Sequence, residues 1–344
     1  MRRIIFWAVA LTAPAALLLV LIEIAVRIVA PPPMMYPRYV HSERFGHLFP
    51  SSSTIVEEVP GQWRFVYRTN EYGYRVPMPE ISNCYELPNI VVLGDSNTFG
   101  LGVDDGHEYP SRLTTKMKGV ASVINLGIGS FGLTHQIRAF YEFGLLFQPN
   151  VVVLQFAAND PDDNVYEKVT VLESGRFRFR RDGSMNSAMG RVKTWLSQSF
   201  LQQSALYNLA RNRAYAMWRA KATDSDTAQH QLEKSTFHNS LLTAFAHDLE
   251  HRGIALVFFS VPGHLDEWPE IRDAVEDLHD RQLLHYVDST HWFDGITDYG
   301  TPEGHPWGQK GHAVVAENLA KKLLPLVGQL PSNSRACGDS GLPL

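Results

Sequence analysis

Cysteine and clustered charge are both scarce in this sequence. Only Cys84 and Cys337 occur among 344 residues, so no disulfide framework holds the fold, although one bridge would be compatible with an oxidising compartment. Charged residues make up 19% of the chain, and 31 basic side chains stand against 36 acidic ones, which gives a formal charge of -5. Because no long block of lysine or arginine is present, the chain lacks a surface built to neutralise phosphates, and we expect no nucleic-acid partner.

Apolar residues, by contrast, are plentiful at 44% of the chain, which excludes a disordered protein. They are most concentrated over residues 4–22, which carry no charge. As a helix this run would span roughly 28 Å, close to the ~30 Å hydrocarbon core of a bilayer. It exceeds the roughly 7–15 apolar residues of a signal peptide, and a helical pattern continues through Arg27. We therefore predict an uncleaved membrane anchor over residues 4–29, with a cleaved signal peptide and a buried core helix as the alternatives.

The orientation of such an anchor follows from the charges beside it. Arg2 and Arg3 precede the apolar run, so the positive-inside rule predicts a cytoplasmic N-terminus and a main body outside the membrane, periplasmic in a bacterium. Signal cleavage would instead give a secreted protein. Three prolines at 31–33 end the helix and begin a stiff spacer, so the anchor unit covers residues 1–33.

The remaining chain divides into three parts that differ in their pattern of apolar and polar residues. Residues 34–88 are irregular, with one expected strand at 63–67, and look like a segment that wraps around a domain. Residues 89–327 alternate buried strands with amphipathic helices, and residues 328–344 lack periodicity and are expected to be disordered.

Continuous apolar runs in the alternating part indicate parallel strands that are buried on both faces. The predicted strands are 90–93, 120–125, 151–156, 255–260 and 285–288. The predicted helices between and after them are 108–118, 133–146, 237–252, 267–282 and 311–327. This order predicts a doubly wound α/β fold with a mainly parallel sheet.

An insertion over residues 161–237 separates the third strand from the fourth. Residues 169–179 have the alternation of a β-hairpin, and residues 192–220 that of one or two helices. Arginines at 176, 178, 180 and 181 would suit an anionic polymer, but alternating Arg and Phe is more simply the wet and the buried face of that hairpin.

Four blocks carry the residue types of serine-based acyl chemistry, each on a loop after a predicted strand or before the last helix. Ligands of open α/β sheets bind beyond the carboxyl ends of the strands, so these loops are expected to meet. A serine in a strand-to-helix turn exposes its hydroxyl, glycines allow a close backbone approach, and an Asn amide donates to an oxyanion. The blocks read GDSNTFG at 94–100, NLGIGSFG at 125–132, AAND at 157–160 and EGHPWGQKGH at 303–312.

Together these blocks resemble the SGNH (GDSL-like) hydrolase superfamily, whose members are serine esterases and acyltransferases with a three-layer, flavodoxin-like fold. The match runs over residues 89–324 in order and spacing. Two further segments, LIEIAVR at 21–27 and TNEYGYR at 69–75, resemble membrane-anchored bacterial members. The resemblance implies Ser96 as the nucleophile and His305 as the general base. It also implies an oxyanion hole formed by the backbone N–H of Ser96, a backbone N–H of the second block and the side chain of Asn159.

The sequence departs from the family pattern at the residue that orients the base. The family often has Asp three residues before its His, but position 302 is Pro here. Glu303 is our first candidate, with Asp294 or Asp298 behind it. In the second block Ser130 takes the position of the family's glycine, which a backbone donor tolerates. His312 is expected to be a capping or packing residue.

The expected function is hydrolysis of an O-acyl ester, O-acetyl above all, through an acyl group on Ser96. O-acyl transfer to a glycan of the cell envelope or to an exported glycan uses the same intermediate and is the first alternative. A catalytically inactive carbohydrate-binding module is the alternative of another class, although the presence of Ser, Asn and His together argues against it. A metal site has no motif in its favour, so we expect neither metal nor cofactor. The residues imaginable as ligands are Asp95, Asp160, His305 and His312.

Overall fold

The structure is a computed structural model that describes residues 2–82, 84–166, 168–181, 187–223 and 228–329. The expected disordered tail and the question whether Cys84 pairs with Cys337 lie outside the described residues. The strands are β1 Met34–Tyr36, β2 Val40–Ser42, β3 Gly46–Leu48, β4 Thr54–Val59, β5 Trp63–Arg68, β6 Asn89–Leu93, β7 Ser122–Asn125, β8 Val151–Phe156, β9 Thr170–Glu173, β10 Arg176–Phe179, β11 Ala255–Ser260 and β12 His285–Tyr286. The helices are α1 Arg2–Val29, α2 Ser96–Phe99, α3 Tyr109–Lys116, α4 Leu133–Glu142, α5 Asp160–Tyr166, α6 Ser187–Gln198, α7 Ala205–Thr223, α8 Ala228–His251, α9 Pro269–Asp280 and α10 Gln309–Gly328.

Five parallel strands form the central sheet in the order β7-β6-β8-β11-β12. The chain starts in the middle at β6, crosses to one edge and then winds to the other. This reversal is the topological switch point of a doubly wound fold, at which ligands bind. The predicted α/β fold with a parallel sheet is therefore confirmed.

Helices cover both faces of this sheet, which explains the continuous apolar strands. In β6, Ile90 and Val92 face the layer that contains α3 and α10, whereas Val91 and Leu93 face the layer that contains α4, α8 and α9. Successive strand residues point to opposite faces, so two cores require apolar residues throughout.

The segment before the sheet is more regular than its sequence indicated. The expected strand at 63–67 is present as β5, but it pairs antiparallel with β4, which in turn pairs with β1, and β2 pairs with β3. These short strands lack clean alternation, because their aromatic residues pack into the core of the α/β domain rather than onto a core of their own. Phe45, Phe49 and Tyr67 are fully buried there.

A buried arginine ties this segment to the loop after β6. The Arg75 side chain has no exposed surface, and its Nε lies 3.2 Å from Asp105 and 3.5 Å from Glu108. Its Nη atoms donate to the carbonyl oxygens of Phe99 at 3.0 Å and Val103 at 2.7 Å, and also to that of Gly100. One side chain therefore holds the backbone that follows α2.

The insertion packs between this segment and the N-terminal helix. The hairpin of β9 and β10 lies where the alternation of apolar and polar residues predicted it. On its solvent-exposed side Glu173 pairs with Arg180 at 2.6 Å. Helix α8 begins at Ala228, nine residues before the predicted start at 237. The last residues of the predicted insertion therefore belong to this helix. Glu23 of α1 accepts hydrogen bonds from the backbone N–H of Ala205 at 2.8 Å and of Leu206 at 2.9 Å, which caps α7.

Helix α1 has the length and composition of a membrane anchor or of a signal sequence. Its segment Thr12–Val29 has a mean hydropathy of 2.1, and none of that segment is buried inside the protein. The helix continues through Arg27 as predicted.

Replacing Arg75 is expected to destabilise the folded domain. Arg75→Met leaves the buried carboxylate of Glu108 without its cation, and the loss of one partner of a buried pair costs about 3–5 kcal/mol. Thermal unfolding of the full chain in detergent, followed by tryptophan fluorescence, should show a decrease in Tm on the order of 10 °C. Arg64→Met is the control, because Arg64 is 58% exposed and pairs with Glu58 at 3.4 Å. A similar Tm for both variants would contradict this assignment.

Candidate active site

Ser96 lies at the start of α2, in a tight turn directly after the buried strand β6. Gly94 is required there, because a Cβ on it would lie 2.1 Å from Thr98 Oγ1 and 2.7 Å from Gln155 Oε1. The buried carboxylate of Asp95 accepts a hydrogen bond from the backbone N–H of Asn97 at 2.9 Å and caps the helix. Ser96 is partly exposed while its neighbours are buried, so the turn presents one hydroxyl.

The second block runs beside this turn. Asn125 donates from Nδ2 to the carbonyl oxygen of Thr98 at 3.0 Å, which joins the two loops. A Cβ on Gly129 would lie 2.1 Å from the hydroxyl of Tyr39, so the backbone passes directly under that ring. Ser130 is exposed and has φ of +62°, a left-handed conformation that favours glycine. The turn of the second block therefore holds Ser130 in a backbone conformation that residues with a Cβ rarely adopt.

The third block is held from two sides. Asn159 donates from Nδ2 to Asp163 Oδ2 at 2.7 Å, which leaves its second N–H for another acceptor. The neighbouring residue Ala158 donates its backbone N–H to His264 Nδ1 at 3.0 Å and accepts from Trp268 Nε1 at 2.8 Å. Sequence reasoning passed over His264 and Trp268, because they follow β11 without any motif.

Register explains why these loops meet. Strand β6 lies between β7 and β8, with Val92 opposite Asn125 and Leu93 opposite Leu154. All three strands are parallel, so the loops after them leave from the same edge of the sheet. Ser96, Ser130 and Asn159 follow within a few residues of those strand ends.

His305 lies on the loop before α10 and is supported by its own backbone. Its N–H donates to Thr301 Oγ1 at 2.8 Å, and its carbonyl oxygen accepts from the N–H of Thr301 at 3.0 Å. His305 Nδ1 lies 3.5 Å from Glu303 Oε1, an ion-pair distance that is longer than an ordinary hydrogen bond. The Glu303 side chain is only 7% exposed, and neither of its oxygens has a hydrogen-bond partner within the described ranges.

The electrostatic surroundings favour a protonated His305. Burial alone would lower its pKa, but the carboxylates of Glu303, Glu57 and Asp95 outweigh burial and raise the pKa above the ordinary value of 6.5. A group with these neighbours accepts a proton readily and stabilises the imidazolium that forms. One of the carboxylates that raise the pKa of His305, that of Asp95, belongs to the residue directly before Ser96.

The two other carboxylates predicted as candidates lie away from His305. Asp294 is 73% exposed and pairs with His291 at 2.9 Å, and Asp298 is exposed and accepts from Thr297 Oγ1 at 3.3 Å. Within the part of the chain that the structure describes, neither carboxylate contacts His305, whereas Glu303 Oε1 lies 3.5 Å from His305 Nδ1.

His312 is buried in the layer between α3 and α10. Its Nδ1 accepts the backbone N–H of Tyr109 at 3.1 Å, and burial holds its pKa well below the ordinary value. His312 is therefore a buried residue of α10 that caps the N-terminus of α3, in agreement with the predicted capping or packing role.

Glu57 was missed by sequence reasoning. It lies on β4 in the wrapping segment, is 9% exposed, and accepts a short hydrogen bond from the hydroxyl of Tyr67. That hydroxyl in turn accepts the backbone N–H of Gly102 at 2.7 Å, and Gly102 lies against Glu303. No motif marks Glu57, since the segment looked irregular, and only the fold brings it toward the histidine.

A cavity of about 900 Å³ reaches the second block at Ser130 and is also lined by Asp163, the residue that accepts from Asn159. Ser130 and Asp163 line its inner side, Arg38 and Tyr39 come from the wrapping segment, and the rest of the wall comes mainly from α6 and α7. The insertion therefore builds a large part of the chamber.

Within the described residues no hydrogen bond joins Ser96 to His305. Catalytic hydrogen bonds are often long in a protein without substrate and tighten only when substrate binds. The arrangement offers a hydroxyl, an imidazole with a buried carboxylate behind it, and backbone and amide donors at one edge of the sheet.

Comparison with models of protein families and with curated proteins finds no match to this chain. Several solved structures are similar in fold. A lipolytic protein assigned to the G-D-S-L family, from Desulfitobacterium hafniense, is 13% identical with a TM-score of 0.41 over 68% of this chain and 98% of that one. A psychrotrophic esterase from Pseudoalteromonas sp. is 10% identical with a TM-score of 0.43 over 70% and 99%.

A third solved structure is a carbohydrate acetylesterase family member from Sinorhizobium meliloti. It is 10% identical with a TM-score of 0.39 over 70% of this chain and 100% of that one. The part of this chain that each comparison leaves out is about a third of its length.

Removing the carboxylate of Glu303 is expected to lower the pKa of His305. In Glu303→Gln the effect of burial is opposed only by the more distant carboxylates, so the ring loses its proton at a lower pH than in the wild type. NMR titration of the histidine-labelled full chain in detergent measures this, with His305→Asn to identify the resonance. Asp294→Asn and Asp298→Asn are matched controls and should leave the pKa of His305 unchanged. A His305 pKa that moves with either control and not with Glu303→Gln would overturn the pairing.

Proposed function

We propose that this protein is a membrane-anchored serine esterase that hydrolyses O-acyl esters. The buried pair of His305 and Glu303 beside the loop that presents Ser96 is the observation that carries the proposal. Serine is a weak nucleophile unless a base takes its proton, and this base has a carboxylate to stabilise its charged form. Fold similarity to esterases is consistent with this chemistry and adds nothing on the substrate.

In the first half-reaction, Ser96 Oγ attacks the carbonyl carbon of the ester and His305 takes the hydroxyl proton. The carbonyl oxygen becomes an oxyanion, for which the backbone N–H groups of Ser96 and Ser130 and the side chain of Asn159 are the donors. Collapse of this intermediate breaks the bond to the alcohol oxygen, which leaves with the proton from His305, and the acyl group stays on Ser96.

In the second half-reaction, His305 takes a proton from water as the water oxygen attacks the acyl carbon. The bond between the acyl carbon and Ser96 Oγ then breaks, His305 returns the proton to Ser96 Oγ, and the acid is released. A sugar hydroxyl in place of water would give O-acyl transfer by the same steps. We favour hydrolysis of a small O-acetyl group, with transfer to an envelope or exported glycan as the alternative. The positive charges of Arg2 and Arg3 favour a cytoplasmic N-terminus and an external active site.

Loss of the nucleophile is expected to abolish hydrolysis. Ser96→Ala should lower kcat for small acetyl esters by about 10³-fold or more, and Asn159→Ala by about 10²–10³-fold, because it removes one oxyanion donor. Release of acetate by the full chain in detergent measures both. Ser340→Ala is the matched control, since Gly338-Asp339-Ser340 repeats the tripeptide outside the α/β domain.

Two outcomes would redirect the proposal. Acetylated sugar that appears faster than free acetate when a sugar is added would favour the transferase. A folded wild type as inactive as Ser96→Ala across all acyl lengths, but still able to bind glycan, would favour the inactive binding module.

The backbone role proposed for Ser130 predicts that its side chain is dispensable. Ser130→Gly keeps the N–H and relieves the left-handed strain of a residue with a Cβ, so kcat/KM should stay within about threefold. Ser130→Val forces a branched side chain into that conformation and should lower the rate by at least about tenfold. Steady-state kinetics on the same acetyl ester compares the two. Equal losses in both variants would assign the hydroxyl itself a role.

A further inference from the structure

The cavity beside the candidate oxyanion hole carries three cationic side chains that the proposed reaction does not use. Arg38 follows β1, Lys193 lies on α6 and Arg211 lies on α7, so they reach the cavity from three separate segments. The volume of about 900 Å³ is far larger than an acetyl group needs and is typical of a site that encloses a small-molecule ligand. The alcohol part of an ester therefore has room to lie against these cations.

Arg38 lacks the partner that a partly buried arginine requires. Its Nε is buried without a hydrogen-bond acceptor, and no carboxylate of the described residues lies within ion-pair distance of its guanidinium. Burial and the neighbouring charge of Arg211 lower its pKa to about 10, and the more weakly acting carboxylate of Glu57 does not offset them. Two guanidinium groups that repel one another in a protein wall are stabilised when an anion binds beside them.

Arg211 is also a partly buried arginine of the cavity wall. Its Nη1 donates to Asn212 Oδ1 at 3.1 Å, and burial lowers its pKa. Several other arginines of this chain have a carboxylate within a normal ion-pair distance: Arg68 with Asp105 at 2.7 Å, Arg138 with Glu142 at 2.7 Å and Arg252 with Asp248 at 2.6 Å.

The acid on the cavity lining does not neutralise these cations. Asp163 lies on the catalytic side, where its Oδ2 accepts from Asn159 at 2.7 Å. Burial raises its pKa to about 7, so at neutral pH it is only partly ionised. The residues that line the cavity therefore include three cationic side chains and one carboxyl group.

We propose that this cavity selects esters whose alcohol part carries an oxyanion, a carboxylate or a phosphate, and that Arg38 and Arg211 bind that group. A guanidinium presents paired N–H donors that match the oxygens of either anion, and Lys193 adds a third positive charge. The selection of substrate rests on the proposed esterase function, whereas the binding of the anion does not.

Matched esters test the selection in the full chain in detergent. The kcat/KM for a monoacetylated methyl glucuronide should exceed that for the corresponding methyl glucoside by roughly 10- to 100-fold, the effect of charge-assisted hydrogen bonds. Arg38→Gln and Arg211→Gln should each bring this ratio toward one. The ratio is measured within one preparation, so partial unfolding of a variant cancels. Arg281→Gln is the control and should keep the wild-type ratio, because Arg281 is an exposed residue directly after α9 that pairs with Asp277 at 3.0 Å.

A second pair of esters separates the two sources of the anion. This second pair is an acylated, acetylated glycerol that carries a 3-phosphate and the same glycerol without the phosphate. Here the anionic group belongs to a lipid and not to a sugar. A preference in the lipid pair alone assigns the anion to a lipid headgroup, and a preference in the sugar pair assigns it to a saccharide. A ratio near one in both pairs, or a preference that survives both arginine variants, overturns the proposal.

Binding without turnover keeps this proposal distinct from the esterase. Calorimetry of Ser96→Ala with methyl glucuronide and with inorganic phosphate should give a Kd that rises at least about tenfold when Arg38→Gln is added. If no ester is hydrolysed but this binding is observed, the esterase fails and the anion site stands. If esters are hydrolysed without this binding and without preference, the esterase stands and the anion site fails.

Discussion

The burial of the Arg75 guanidinium is the interaction on which the candidate site most depends. A fully desolvated cation is stable only where carboxylates and carbonyl oxygens satisfy it, and here those acceptors are Asp105, Glu108 and the backbone that follows α2. The rings of Tyr67 and Phe99 lie 4.8 and 5.4 Å from its Cζ. Arg75 therefore ties the wrapping segment to the loop that follows α2, and that loop cannot relax without exposing the charge. Tyr67 and Arg68 add contacts to the same loop at Gly102 and Asp105.

A second constraint acts from the N-terminal helix α1. Glu23 and Arg27 of α1 contact the start of α7, since Glu23 caps that helix and Arg27 donates to the carbonyl oxygen of Gln203. Helix α7 in turn forms part of the cavity wall and carries Arg211. The segment at 21–27, which the sequence linked to anchored family members, thus joins the apolar helix to the chamber where substrate is proposed to bind. Exposed apolar residues such as Trp195 and Phe200 lie on the same insertion.

The sequence predicted the sheet well, because buried parallel strands require unbroken apolar runs and five such runs were visible. It also predicted that the blocks with Ser96 and Asn159 follow strand ends and that the block with His305 precedes the last helix, because strand ends and loop residues are adjacent in the chain. The catalytic roles of these residues stay a prediction. Of the five strands in the wrapping segment only β5 was predicted, and the other four were missed, since their side chains pack into another layer and lose alternation. Glu57, Arg38 and Arg211 were missed for the same kind of reason: each reaches the site from a distant segment, and no local pattern records that approach.

Glu57 shows what such a distant contribution does. His305 is partly buried, and burial by itself would lower its pKa and weaken it as a base. Glu303 opposes burial from the same loop, and Glu57 opposes it from β4, where the hydroxyl of Tyr67 holds its carboxylate in place. Tyr67 also accepts the N–H of Gly102, and Gly102 touches Glu303. The α/β domain and the segment wrapped around it therefore set the proton affinity of His305 jointly. A domain that begins at residue 89 would lose the carboxylate of Glu57 beside His305 as well as part of its hydrophobic core.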